Sequence, residues 1–176
     1  MSWSSFFRWR RRTTYILVGA LVFGLVYLVG LYISTHIRPT VEVRVGSGVY
    51  QLWLADTEKT RAQGLSGVTS LQQNNGLLMK FDEMAIQDAW TAGTSVPMDI
   101  VWLDDAKSVV YIIKNVNLGA SKEEQDAGLV TSYSSVKPAR YALELPAGSV
   151  QNAGIKSGDA VEFDETNKGV GFTWSQ

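Results

Sequence analysis

The sequence predicts an all-β fold, a compact antiparallel β-sandwich or barrel with short helical turns, preceded by one transmembrane helix. Three observations predict it. An uncharged run covers Thr13 to Thr35. After Pro39 the apolar pattern switches to period two: "VEVRV" (41–45) places Val41, Val43 and Val45 on one face and Glu42 and Arg44 on the other. Short apolar stretches then recur between Gly-, Asn- and Asp-containing turns, with only brief helical patterns among them.

The uncharged run holds "YILVGALVFGLVYLVGLYI", 19 residues from Tyr15 to Ile33. At about 1.5 Å per residue a helix of this length covers roughly 29 Å, the thickness of a bilayer's hydrocarbon core. Trp9, Tyr15 and Tyr32 stand near its ends, as interfacial aromatics do. Arg8, Arg10, Arg11 and Arg12 precede the run and only Arg38 follows it closely, so the positive-inside bias puts the N-terminus in the cytoplasm. The expected organisation is a cytoplasmic basic tail (1–14), a transmembrane helix (15–35), a tether (36–40) and an extracytoplasmic domain (41–176). A cleavable signal peptide is the competing reading. It calls for a shorter apolar core and a small-residue cleavage site, and "ISTHIRPT" supplies no such site, so the segment reads as an uncleaved anchor in the cell membrane.

Within the domain, "VEVRV" and "YQLWLA" (50–55) flank the turn "GSG" and form a hairpin. "DTEKTRAQG" is a short helix, capped by Asp56 or Thr57 and closed by Gly64. "TSLQQNNG" is a loop, "GLLMKF" (76–81) a strand and "QDAWT" a short one. "DIVWLD" (99–104) and "SVVYIIKNV" (108–116) form a hairpin around "DAK", and the second strand is apolar enough to be covered on both faces. Residues 117–130 form a polar loop. "ARYALEL" (139–145) is a strand, "AGSVQNAGI" a helical turn, "KSGD" a turn and "AVEF" (160–163) a strand; "GVGFTW" adds a last strand.

Composition removes several functions. The chain has 16 basic and 17 acidic residues; the four arginines of the tail leave 12 against 17 for the rest, a mildly acidic domain without the basic footprint of a nucleic-acid binder. There is no cysteine, so disulfides, thiolate catalysis and cysteine zinc sites are excluded. The one histidine, His36, lies at the membrane boundary, away from any serine triad. No carboxylate spacing suits a calcium loop and no glycine loop cradles phosphate, so neither a metal nor a cofactor is expected.

"LADTEKTRAQGL", "GLLMKF", "WTAGTSVPMDIVWLDD" and "ARYALELPAGSVQNAGIKSGDAVEF" follow one another in an order that resembles the domain-of-unknown-function 192 family, over about Leu54 to Phe163. The matching positions are Gly64, Gly76, Trp90, Thr94, Pro97, Asp99, Arg140, Leu143, Glu144, Pro146, Gly148, Gly158 and Asp159. The resemblance implies a compact all-β fold, commonly exported or membrane-tethered, without an established activity. Thr91, Ala92 and Gly93 stand where the family usually has Met, Lys and Asn. Leu77, Leu78 and Met79 replace its "GM-L-F" stretch.

Alternation sorts the matched polar residues. Asp99 shares a face with Val101 and Leu103; Ile100, Trp102 and Asp104 share the other. Arg140, Ala142 and Glu144 lie together, opposite Tyr141, Leu143 and Leu145. A carboxylate at the edge of a core needs a partner, and Arg140 is the expected cation for Asp99. One reading makes this pair architecture. The other makes Trp90, Thr94, Asp99, Arg140 and Glu144 a pocket for a small anionic or sugar-like ligand, with Arg140 orienting it and the Trp90 ring as a wall. Outside that pocket reading, Trp53, Trp90, Trp102 and Trp174 are core or rim. The expectation is an anchored extracytoplasmic module that binds a small molecule or an envelope protein. The alternatives are a small hydrolase or lyase using Asp99 and Glu144 with Arg140, and a structural envelope protein.

Overall fold

The computed structural model describes residues 15, 17–30, 38–91, 93–116 and 132–169. They fall into two units, Met1–Ile37 and Arg38–Gln176. In the first, residues 17–30 form helix α1, on which Leu17, Leu21, Phe23 and Leu25 are exposed. Among the described residues no helix is long and apolar enough to cross a membrane. Residues 31–35 of the expected span lie outside the described residues, as does His36.

The second unit runs β1 (Thr40–Val45), β2 (Gly48–Ala55), α2 (Glu58–Gln63), β3 (Asn75–Ala85), β4 (Asp88–Trp90), β5 (Met98–Leu103), β6 (Val109–Val116), β7 (Ser132–Ser134), β8 (Ala139–Pro146), α3 (Ser149–Asn152) and β9 (Val161–Phe163). The sheet order is β6-β5-β8-β3-β2-β1-β9, with β4 and β7 as a separate two-stranded ribbon. The first hairpin is tight because Val45 pairs with Gly48 and Gly46 takes φ 56 between them. A Cβ at Gly46 would overlap the Ala153 carbonyl oxygen, so only glycine fits there. Helix α2 starts in a reciprocal box: Thr57 Oγ1 accepts from the Thr60 N–H (3.2 Å) and Thr60 Oγ1 from the Thr57 N–H (3.0 Å).

Two features depart from the sequence reading. The sheet is not wholly antiparallel: β2 and β3 pair in parallel, from Gln51↔Asn75 to Ala55↔Met79. The connection over residues 56–74, which carries α2, is long enough for the crossover that parallel pairing requires. Strand β6 is not covered on both faces. It is the edge of the sheet, and Val110, Tyr111, Ile112 and Ile113 are only partly buried. The expected loop over 117–130 and the strand over 170–174 lie outside the described residues; Gly169 bridges to Thr40.

The sheet curls into a half-barrel. At one corner its two ends meet, where Val161 N–H donates to the Lys107 carbonyl and Val109 N–H to the Asp159 carbonyl, each at 2.9 Å. Inside the curl, Val43 and Val161 from one end pack in one cluster with Val101, Leu103, Leu143 and Leu145 from the other. A second cluster covers the outside of the sheet: Leu77, Met79, Ile100, Trp102 and Ala142 lie beneath Leu65, Val68, Ala89 and Val96 from the connecting segments. Each central strand is therefore apolar on both faces, and any polar side chain on one must be buried.

Candidate functional site

The alternation expected for β5 and β8 holds: Val101, Leu103, Tyr141, Leu143 and Leu145 face inward, while Ile100, Trp102 and Ala142 face outward. Asp99 pairs in register with Leu145, and Ile100 with Glu144. The two acids therefore point to opposite sides of the sheet. They do not share a concavity, so Asp99 and Glu144 do not form a pair of catalytic carboxylates across one cleft.

Asp99 is 1% exposed. Its Oδ1 accepts from the Asn115 N–H (2.9 Å) and its Oδ2 from the Val150 N–H (3.0 Å). Both donors need an acceptor from elsewhere. The β5–β6 register shifts between Met98 and Ile100, and Asn115 sits at φ 52, so its N–H leaves the ladder. Val150 lies in the first turn of α3, whose N-cap Gly148 has no side chain to offer. Asp99 thus ties a strand bulge to a helix start.

The expected Asp99–Arg140 pair is not formed. Arg140 lies five residues along β8 from Leu145, roughly 16 Å at about 3.3 Å per residue. Its Nη1 donates to the Asp82 carbonyl, and its Nε stands 3.9 Å from Asp105 Oδ1. Backbone N–H groups satisfy Asp99, and they leave no mark in a sequence.

Glu144 is the unexplained group. It is 2% exposed and sits between Leu77 on β3 and Ile100 on β5. Burial alone pushes its carboxyl up to about 8, with no cation or hydrogen bond acting against it. At neutral pH it is mostly a neutral acid, able to donate one O–H. Trp102 lies diagonally across from it, two residues beyond Ile100 on the same face, and is fully buried with its Nε1 unpartnered among the described residues. Thr91, 1% exposed, also has a hydroxyl without a partner there. Thr94 N–H donates to the Thr91 carbonyl (3.1 Å) across a turn in which Gly93 takes φ 70. This segment joins Ala89 to Val96, both in the outer cluster. Trp90 is 56% exposed, on the β4–β7 ribbon opposite Ser132.

Of the five residues singled out, Glu144 and Thr94 belong to the outer layer and its covering segment, with Trp90 exposed beside it; Asp99 and Arg140 serve elsewhere. Trp102 and Thr91 were missed as polar groups. The signal for Trp102 was its place on Ile100's face; Thr91 had only its position after Trp90. Among the described residues no three His, Cys, Asp or Glu side chains come close enough to hold a metal. Trp53 and Trp102 are core as expected, and Trp174 lies outside the described residues.

The DUF192 family model, described as an uncharacterized ACR, matches residues 41–163. The chain belongs to the DUF192 family. Among solved structures, this DUF192 chain is similar to a protein from Sinorhizobium meliloti described as a candidate transcription regulator, with 25% identity and a TM-score of 0.61, over 73% of this chain and 95% of that one. It is also similar to a protein of unknown function from Novosphingobium aromaticivorans, with 26% identity and a TM-score of 0.60, over 70% and 83% of the two chains. No curated protein matches.

Proposed function

We propose that this DUF192 chain is a membrane-anchored, extracytoplasmic binding module whose ligand is held on the outer layer of the sheet, against Glu144, Trp102 and Thr91, with Trp90 at the rim. The observation that carries the reading is a buried acid, Glu144, diagonal on the outer face to the buried Trp102 Nε1, which among the described residues has no partner; Thr91, with an unpartnered hydroxyl among those residues, lies in the segment joining Ala89 to Val96, which cover that face. Buried polar groups are almost always satisfied, so such a concentration marks a place where something else binds. A neutral acid and an indole N–H among apolar walls suit a small molecule with an apolar body and one carboxamide or carboxylic acid group. Support for the anchor is the uncharged run Thr13–Thr35 behind four arginines, and the exposed apolar side chains of α1.

The test is a thermal-shift titration of the full chain in detergent with short carboxylic acids and amides at pH 6. A saturable rise in Tm that Glu144→Gln and Thr91→Val reduce at least fivefold in affinity is expected. No shift, or an equal shift in both variants, overturns the site. Carbonate extraction and protease accessibility from outside the cell test the anchor and its direction separately; release by carbonate, or protection of the domain, overturns them.

A further inference from the structure

We infer that the inner end of the half-barrel carries a second, separate site, a recess that binds a small neutral polyhydroxy molecule such as a single sugar ring. The recess holds about 190 Å³ and lies between the β1–β2 turn, the loop before β3 and α3. The recess is open to solvent and many times the volume that admits one water, so it has room for a single small ring. The groups that line it are uncharged hydrogen-bonding ones: the hydroxyls of Ser47, Tyr50 and Ser149 and the amides of Gln73, Asn74 and Asn152. Among the described residues no charged side chain lines it, so the lining offers no charge to recognise a carboxylate, phosphate or amine. The lining is too polar for a hydrocarbon ligand.

The floor of the recess is built rather than incidental. The Tyr50 and Ser149 side chains are both buried and line the recess together. Burial, and then the nearby Asp99, raise the pKa of the Tyr50 hydroxyl, so it stays a neutral O–H. Gly48 makes room for that ring, since a Cβ there would run into the Tyr50 hydroxyl and Cε2. Asp99 fixes α3 from below through Val150, so Ser149 and Asn152 are held against the strand ends. Asn152, Gln73 and Asn74 are exposed at the rim, able to close on the hydroxyls of a ring.

The experiment is saturation-transfer NMR on the full chain in lipid nanodiscs, free of sugar detergents, with glucose, N-acetylglucosamine and inositol as probes and glucuronate as the charged control. Saturable binding of at least one neutral probe is expected. It should weaken at least fivefold in Asn152→Ala and in Gln73→Ala, both exposed and expected to keep the parent Tm, and be unchanged in Glu144→Gln. No saturable binding of any neutral probe overturns the site. So does binding that Asn152→Ala and Gln73→Ala leave unchanged, or glucuronate binding as tightly as glucose. The unchanged Glu144→Gln arm separates failure here from failure of the outer-layer site.

Discussion

Asp99 and Glu144 are both nearly sealed from water and stand one register position apart on β5 and β8, but they face opposite layers. Inside the curl, Asp99 accepts from two backbone N–H groups, one at a strand bulge and one at a helix start. Outside it, Glu144 has neither a cation nor a donor among the described residues, and burial keeps it protonated. Burial alone therefore does not tell an architectural acid from a functional one. The difference lies in whether the surroundings were arranged around the charge or around its absence.

The largest effect that sharpens this contrast is in pH. Glu144 titrates at about 8 in the folded chain against 4.5 when exposed, so the folded state holds the proton more tightly. Its contribution to stability is complete below pH 4.5, falls as pH rises to about 8 and is then lost. The whole change is about 5 kcal/mol. Chemical denaturation from pH 4 to 9 should show this slope in the parent and lose it in Glu144→Gln; parallel curves would break the assignment.

Next in size is Asp99→Ala. It strands the buried Val150 N–H, at a cost of about 1–3 kcal/mol, and frees the partly buried Asn115 N–H at a smaller one, about 3 kcal/mol together, read as a drop in Tm of roughly 6 °C or more. A melt within a degree or two of the parent would mean that the two donors find other acceptors. Gly76→Ala follows, at about 2 kcal/mol, because a Cβ there would overlap the Glu144 carbonyl and force β3 and β8 apart. The smallest effect is Arg140→Ala, under about 1 kcal/mol for a partly exposed side chain with a distant carboxylate. In a double-mutant cycle with Asp99→Ala its coupling should stay below about 0.5 kcal/mol. A larger coupling would restore the ion pair that the register denies.

How much of this was legible follows from what leaves a periodic mark. The alternation in "DIVWLD" and "ARYALEL" assigned every face correctly, and Thr57 and Gly64 bracketed α2, because those signals are local. The parallel pairing of β2 with β3 was not legible, since a six-residue helix does not look like a crossover. Strand β7 was not either: Ser132 and Ser134 show no apolar rhythm, and the strand exists through its partner β4. In the site, Glu144 could be named but not interpreted. That it lacks a partner is a property of everything folded around it.

The one-position offset between the acids has a consequence for how the strands choose each other. Sliding β8 by one residue in one direction sets Glu144 directly opposite Asp99 inside the curl, two acids crowded into the same oily space. Sliding it in the other direction sets Pro146 opposite Asp99 and drives Leu143 and Leu145 out of the interior. Mispairing is penalised whichever way the strand slips, by the two acids in one direction and by the displaced leucines in the other, so the central strands admit a single alignment.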